Sequence, residues 1–317
     1  MNVIITGGTG LIGSYLTRTL IDAGHHVTLL TRKPNQRSAK HPNVDIVGWD
    51  ARTPEGWGHL VNKTDAIVNL AGEDISGPGF FPARWTEKRK ERIRSSRILA
   101  GRAVTQAVQM ATHRPAVVVQ SSGVGVYGDT GNEVITESHP FGDDFMARLG
   151  RDWEASTQAV EAMGVRRVIV RTAVNLSLES GALPRLLLPF RLYAGGPFGS
   201  GKQYLPWIHP RDEAEAILFL IKHTGASGAF NLAAPQAVTN SEFGKTLARL
   251  LKRPFWLPVP GFAMRLAFGE VADVVLTGQR AVPERLQEMG YSFRYPQLEQ
   301  ALTDILHEPQ PVETVST

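Results

Sequence analysis

The stretch that most constrains this chain is its beginning, Val3-Ile4-Ile5-Thr6-Gly7-Gly8-Thr9-Gly10-Leu11-Ile12-Gly13. A short β-branched run reads as a buried strand and breaks into four glycines within seven positions. Leu11, Ile12, Tyr15, Leu16, Leu20 and Ile21 then recur at helical spacing until Gly24. Strand, glycine turn and helix form the context in which such glycines cradle a phosphate. Gly7 allows the tight turn, and Gly10 lets a pyrophosphate approach the backbone at the helix N-terminus. Gly13 lets helix and strand pack closely. This end of the chain is expected to bind a dinucleotide.

The rest of the first half repeats the alternation. Residues 26–31, 45–50, 66–71, 116–122 and 166–173 read as strands, with helical patterns at 86–112 and 143–163. The expected fold class is α/β: a Rossmann-type doubly wound parallel sheet with helices on both faces. After Leu176 the composition shifts. Residues 195–201 (GGPFGSG) read as a loop, 214–221 as a helix and 229–233 as a further strand. Residues 240–252 and 261–278 read as helices separated by prolines. The expected organisation is a dinucleotide-binding domain over 1–175, with a returning segment at about 205–235. A smaller, mostly helical C-terminal domain takes 176–204 and 236–306, and 307–317 form a tail.

Composition narrows the function classes. The 317 residues suffice for a large α/β domain and a smaller one. With no cysteine there is no disulfide, no thiolate metal ligand and no cysteine nucleophile. That fits a reducing compartment, and the chain enters its first strand at once, so the expected location is the cytoplasm. No apolar run approaches the roughly 20 residues of a membrane span. A net charge of +4 permits an anionic ligand without arguing for nucleic acid. Zinc spacing, a Gly-x-Ser-x-Gly elbow and a Walker A lysine are all missing, so no metal site and no hydrolase or nucleotidase chemistry is expected.

The second strand ends Leu30-Thr31-Arg32-Lys33, where an acidic residue would hold a 2′-hydroxyl. Two cations stand there instead. Arg32 could clamp a 2′-phosphate through two hydrogen bonds, with Lys33 adding a point charge. The cofactor expected is NADP, the alternative being a solvated basic turn.

With the glycine motif, Asp50, Asn69-Leu70-Ala71-Gly72 and Ser121-Ser122-Gly123-Val124-Gly125-Val126-Tyr127-Gly128, the chain resembles the short-chain dehydrogenase/reductase superfamily. The similarity is to its extended branch, the NAD-dependent epimerase/dehydratase family. Arg84-Trp85, Trp153-Glu154, Leu188-Pro189-Phe190 and Pro206-Trp207-Ile208-His209 resemble an atypical subgroup with a C-terminal domain of unknown function, here roughly 254–306. The resemblance implies cofactor contacts at Gly7, Thr9, Gly10, Leu11, Ile12 and Gly13. It implies others at Leu70, Ala71, Gly72 and Glu73, with Asp50 near the adenine.

The chemistry of that family uses a Ser or Thr after the fifth strand and a Tyr-x-x-x-Lys helix, whose lysine lowers the tyrosine pKa. Counting from the Tyr-Gly pair and from Glu154, these positions become Gly123, Met146 and Gly150. No Tyr here has Lys four residues later, and no lysine stands between Lys90 and Lys202. The candidates to take over are Tyr127 and Ser122, at the end of the fifth strand where ligands bind in such folds. For Tyr127 the competing reading is a packing residue. His209 reads as a buried hydrogen-bonding histidine, and Glu154 and Arg171 as structural.

Residues 88–97 carry six cations, read as a solvated face, with Arg94 or Arg97 turning inward toward an anionic substrate as the sharper alternative. The 195–201 loop, followed by Lys202, is a second candidate anion contact and a plausible lid. Two functions stay open. One is an NADP-dependent oxidoreductase or epimerase-like enzyme with a non-standard proton donor, acting on a small molecule for which an anionic character is one alternative. The other is a non-catalytic NADPH-binding sensor or scaffold. The partner expected is that small molecule, neither nucleic acid nor membrane. Such folds commonly form homodimers through helices like those near 94–112 and 143–163.

Overall fold

In the computed structural model, which describes residues 1–36, 38–77, 79–307 and 315–316, seven strands form one parallel sheet. They are β1 (Asn2–Thr6), β2 (His26–Thr31), β3 (Val44–Gly48), β4 (Ala66–Asn69), β5 (Val117–Gly123), β6 (Arg166–Thr172) and β7 (Gly228–Leu232). Their spatial order is β7-β6-β5-β4-β1-β2-β3. From β1 the chain winds one way to β2 and β3, and from β4 it winds the other way. The sequence strands sit two-sided in apolar surroundings, as a parallel sheet covered on both faces requires. Val3, Ile5, Val68 and Val119 pack toward α1 (Leu11–Asp22), sharing a cluster with Leu16 and Leu20. Ile4, Ile67 and Val118 point the other way, toward Ala100, Val104 and Ala107 of α2 (Glu87–Met110). The alternation along each strand therefore decides which helix it holds.

Side chains set the helix starts. Thr86 caps α2 by accepting from Arg89 N, and Asp144 caps α3 (Phe145–Ala155) by accepting from Ala147 N. The helix expected over 143–163 is broken: after α3 the chain turns and forms α4 (Ala159–Ala162). At the break α2 comes so close that a Cβ on Gly101 would overlap Ser156 Oγ. Thr105 Oγ1 also donates to the Ser156 carbonyl, giving it a partner outside the helix.

Beyond β6 the chain forms α5 (Leu183–Arg191), with a proline in its first turn and Pro189 inside it. The chain then returns to the sheet through α6 (Pro210–Lys222) and β7. α7 (Asn240–Leu251) starts on a reciprocal Thr239–Glu242 capping box. The helix expected over 261–278 is three pieces, Gly261–Phe268, a 3₁₀ turn Gly269–Ala272 and Asp273–Leu276, interrupted where Gly269 takes φ +68°. The last helix, Leu298–His307, packs with α5 and α7 around Leu187, Trp207 and Leu247. Of the expected tail, 308–314 and 317 lie outside the described residues, while Val315–Ser316 pair antiparallel with Ser38–Ala39.

Candidate active site

The reversal between β1 and β4 opens a crevice at the carboxyl ends of the strands, where α/β sheets bind ligands. The glycine loop fills its floor. Gly7 stands at φ +68°, and a Cβ on it would lie 2.9 Å from the Leu70 carbonyl. On Gly13 a Cβ would lie 2.5 Å from Gly8 Cα. Both glycines are demanded by backbone packing. Gly10 is different: its φ of −83° is ordinary, and a Cβ there would meet only the Gly7 carbonyl oxygen, at 3.2 Å. Gly10 is the N-cap of α1, yet no side chain caps that helix and its first turn carries no acidic residue. The first N–H groups of α1 are thus left for an external acceptor, and the helix dipole favours an anion there.

A buried polar ladder holds this floor. Thr6 Oγ1 donates to Asn69 Oδ1 (2.6 Å), and Asn69 Nδ2 donates to Gln120 Oε1 (2.9 Å). Gln120 Nε2 in turn donates to the Ser121 carbonyl (2.7 Å), and Thr6 Oγ1 accepts from Ala71 N (3.2 Å). It ties the ends of β1, β4 and β5 and sets the turn through Leu70, Ala71, Gly72 and Glu73 against the glycine loop. On its other side the turn meets α2. Glu73 N donates to Ser96 Oγ, Arg97 Nη1 donates to the Glu73 carbonyl, and a Cβ on Gly72 would stand 2.9 Å from Arg97 Cζ. Arg97 stacks over Trp153, and burial lowers its pKa to about 10.

Arg32 and Lys33 are exposed and leave the sheet on the same edge as the glycine loop, because Leu30 pairs with Thr6. Asp50 is committed to its own turn, accepting from Arg52 N, Thr53 N and Thr53 Oγ1. Against the desolvation that would raise it, the bonds from Thr53 and Arg52 hold its pKa below the usual value.

The two catalytic candidates are brought to the end of β5 and both are tied down. Ser122 Oγ donates to Glu154 Oε1 at 2.7 Å. Tyr127 is 2% exposed, and its hydroxyl donates to Asn231 Oδ1 (2.7 Å) while accepting from Arg171 Nη1 (3.0 Å). Burial raises the Tyr127 pKa, against the pull of the Arg171 charge. With its one proton on Asn231, the Tyr127 hydroxyl joins β6 and β7 rather than facing a ligand. Asn231 N in turn donates to the buried Glu137, whose pKa burial also raises. Glu137 and Asn231 carry no motif, and sequence reading passes over them.

Met146 and Gly150 do face the end of β5. A Cβ on Gly125 would touch Met146 Cβ at 3.5 Å, and a Cβ on Gly150 would overlap Val126 Cγ1. Gly123 pairs with Thr172 across the sheet. The basic run is mostly neutralised: Lys90 pairs with Glu270 (2.6 Å), Arg92 with Glu73 (3.4 Å) and Arg94 with Asp152 (2.8 Å). Of the two inward candidates, only Arg97 turns into the protein. The 195–201 loop is pinned rather than lid-like. Gly199 N donates to the Val259 carbonyl and Phe198 N to Asn240 Oδ1, and the glycines permit close contact with residues 254–258.

His209 is the N-cap of α6, its Nδ1 accepting from Arg211 N. Its Nε2 lies 3.2 Å from Asp304 Oδ2, and its ring stacks on Tyr295 at 3.8 Å. Burial lowers its pKa to about 4, so the ring is neutral and meets the last helix only by proximity, Nε2 and Asp304 Oδ2 facing each other outside hydrogen-bond geometry. Among the described residues no three His, Asp or Glu side chains form a metal site, and no helix is long and apolar enough to cross a membrane.

Sheet order, glycine loop and crevice define a Rossmann-type protein of the doubly wound class. The profile of the NAD dependent epimerase/dehydratase family matches residues 3–233, and one described as a domain of unknown function matches 259–305. The chain belongs to that family. It is 40% identical to the epimerase family protein YfhF of Bacillus subtilis over 315 residues, 98% of this chain and 100% of that one. An epimerase family protein of Staphylococcus saprophyticus is 38% identical over 96% of this chain and 99% of its own. Among solved structures, the human epimerase family protein SDR39U1 (isoform 2), crystallised with NADPH, superposes with a TM-score of 0.86 at 35% identity. That match covers 96% of this chain and 99% of the human one.

Proposed function

We propose that this chain is an NADP(H)-dependent oxidoreductase or epimerase-like enzyme that acts on a small molecule without the Ser-Tyr-Lys arrangement. The observation that carries the cofactor reading is the N-terminus of α1, glycine-built, uncapped and free of acidic residues. The pyrophosphate would rest on the N–H groups of residues 11–13, Gly10 N being spent on the Gly7 carbonyl, with the 70–73 turn alongside and Arg32 and Lys33 on a 2′-phosphate. NADPH in the human relative supports the choice. The nicotinamide, when bound, would supply a hydride to a carbonyl carbon or take one from the carbon that bears a hydroxyl.

On this reading Tyr127 and Ser122 position the end of β5, and the proton must come from another group. A cofactor-binding sensor without turnover is the second reading, favoured by the packing at Gly150, which leaves no room for a lysine. Calorimetry should show NADPH binding more tightly than NADH, and Arg32→Ala should erase most of the difference. Loss of the Arg–phosphate bonds costs roughly 1.5–3 kcal/mol. Equal affinities in the intact protein would refute the assignment. Oxidation of NADPH by any of a panel of carbonyl compounds separates the enzyme from the sensor.

A further inference from the structure

Glu213, in the first turns of α6, is fully buried, and its hydrogen-bond partners among the described residues are neutral. Thr172 Oγ1 donates to its Oε1 (2.8 Å) and Asn175 Nδ2 to its Oε2 (2.5 Å). The charged groups nearby are turned elsewhere. Arg171 sits on the opposite face of β6 on Glu154, and Asp212 accepts from Arg294 N and Tyr295 N. His209 points to Asp304, and on α1, which packs against α6, Arg18 pairs with Asp22. A buried carboxyl without a cation favours its neutral form. Burial accordingly lifts Glu213 to about 7, against the pull of the Asn175 and Thr172 bonds.

Its place is as telling as its state. Thr172 ends β6 at the crevice and is only partly buried. Its cross-strand neighbour on β5 is Gly123, where a Cβ would meet nothing within 4 Å except the Thr172 carbonyl oxygen, at 3.6 Å. The strand that would cover Thr172 therefore has no side chain to do so. Asn175 lies across from the start of α1, since a Cβ on Gly181 would touch both Leu11 Cδ2 (3.6 Å) and the Asn175 carbonyl (4.0 Å). The carboxyl thus stands behind Thr172, on the side of β6 that faces α6.

We propose that Glu213 is the proton store of the crevice, exchanging one proton with a bound carbonyl or alcohol through Thr172 Oγ1. The inference rests on the cofactor reading above. With Glu213 neutral, its Oε1–H donates to Thr172 Oγ1 in place of the reverse, which would free the Thr172 hydroxyl proton for the oxygen of a carbonyl undergoing reduction. Thr172 Oγ1 takes the proton of Glu213 Oε1, and Glu213 is left a carboxylate. Alcohol oxidation runs the same transfers backward. Thr172 touches substrate, and Glu213 acts through it.

The test is ¹³C NMR titration of the glutamate carboxyls in the full chain, alone and with saturating NADPH or NADP⁺. Expected is one signal with a midpoint near 7, absent in Glu213→Gln. Thr172→Val should move it up and Thr172→Ser should leave it, which identifies the signal even if the Gln variant fails to fold. The oxidised nicotinamide carries a positive charge that the reduced one lacks. The midpoint with NADP⁺ should therefore lie about one unit below that with NADPH. A midpoint near 4, or equal midpoints with both cofactors bound, overturns the proposal. Failure of both cofactors to bind overturns the cofactor reading instead.

Discussion

Arg171 grips both oxygens of Glu154 from the neighbouring strand, Nε at 2.9 Å from Oε1 and Nη2 at 3.0 Å from Oε2, with both side chains buried. The pair joins α3 to β6, and each member reaches one catalytic candidate: Glu154 accepts from Ser122, and Arg171 donates to Tyr127. Burial works against the Arg171 charge, and Glu154 more than restores it, so its pKa stands above the usual value.

Breaking this pair from one side should be costly. Arg171→Met leaves Glu154 buried without a cation, and we expect a loss of about 3–5 kcal/mol in urea unfolding. Glu154→Met with Arg171→Met should lose less than the two single variants summed, because neither charge is then stranded. Additive losses would show that the pair does not act as a unit.

The glycines of the loop should separate fold from binding. Gly13→Ala puts a Cβ 2.5 Å from Gly8 Cα, so α1 must shift and the melting temperature should fall. Gly10→Val, with an ordinary φ and one crowded oxygen, should still fold while losing most NADPH affinity. Unchanged binding in the Gly10 variant would remove the loop from the phosphate site.

Placing Ser, Tyr and Lys at the three positions counted from the Tyr-Gly pair and Glu154 should not produce turnover. Gly123→Ser, Met146→Tyr and Gly150→Lys together force a Cβ into Val126 Cγ1, so α3 must move off β5. We expect a lower melting temperature and no gain in turnover on sugar nucleotides, on which the intact protein should itself be nearly inert. A stable, active triple variant would show that the spacing between α3 and β5 is not the obstacle.

Two buried groups should oppose each other in mildly acid solution. His209 has its folded pKa depressed to about 4, so its contribution is whole above its unfolded pKa near 6.5 and is lost as pH falls. Glu213 has its folded pKa raised to about 7, so its contribution is whole below about 4.5 and is lost as pH rises. Glu137 and Asp212, also raised by burial, act with Glu213. His209→Gln should steepen the loss of stability with rising pH between 4.5 and 6.5, and Glu213→Gln should flatten it. Each effect is on the order of 2–3 kcal/mol across the window. Urea unfolding at several pH values reads both slopes.

Much of this molecule is legible in the chain alone. Val3–Ile5 with the glycines after them read as a strand that ends at a close helix contact, because Gly13 meets the backbone of Gly7 and Gly8 where any Cβ would collide. The runs 66–68, 117–119 and 168–170 within the strands are apolar on both faces, and that pattern is stable only inside a doubly covered sheet. Local signals of this kind survive in sequence because neighbours in the chain are neighbours in space.

What tertiary structure alone decided is where polar atoms end. Tyr127 looks like a proton donor until Asn231, 104 residues on, takes its hydroxyl. The 195–201 glycines look like a lid until residues 254–259 are seen to pin them. Glu213 looks like one more acidic residue in a helix start until Thr172 and Asn175 close over it without a cation. Each outcome depends on partners far away in sequence, and a buried polar group takes its chemistry from the atoms packed around it.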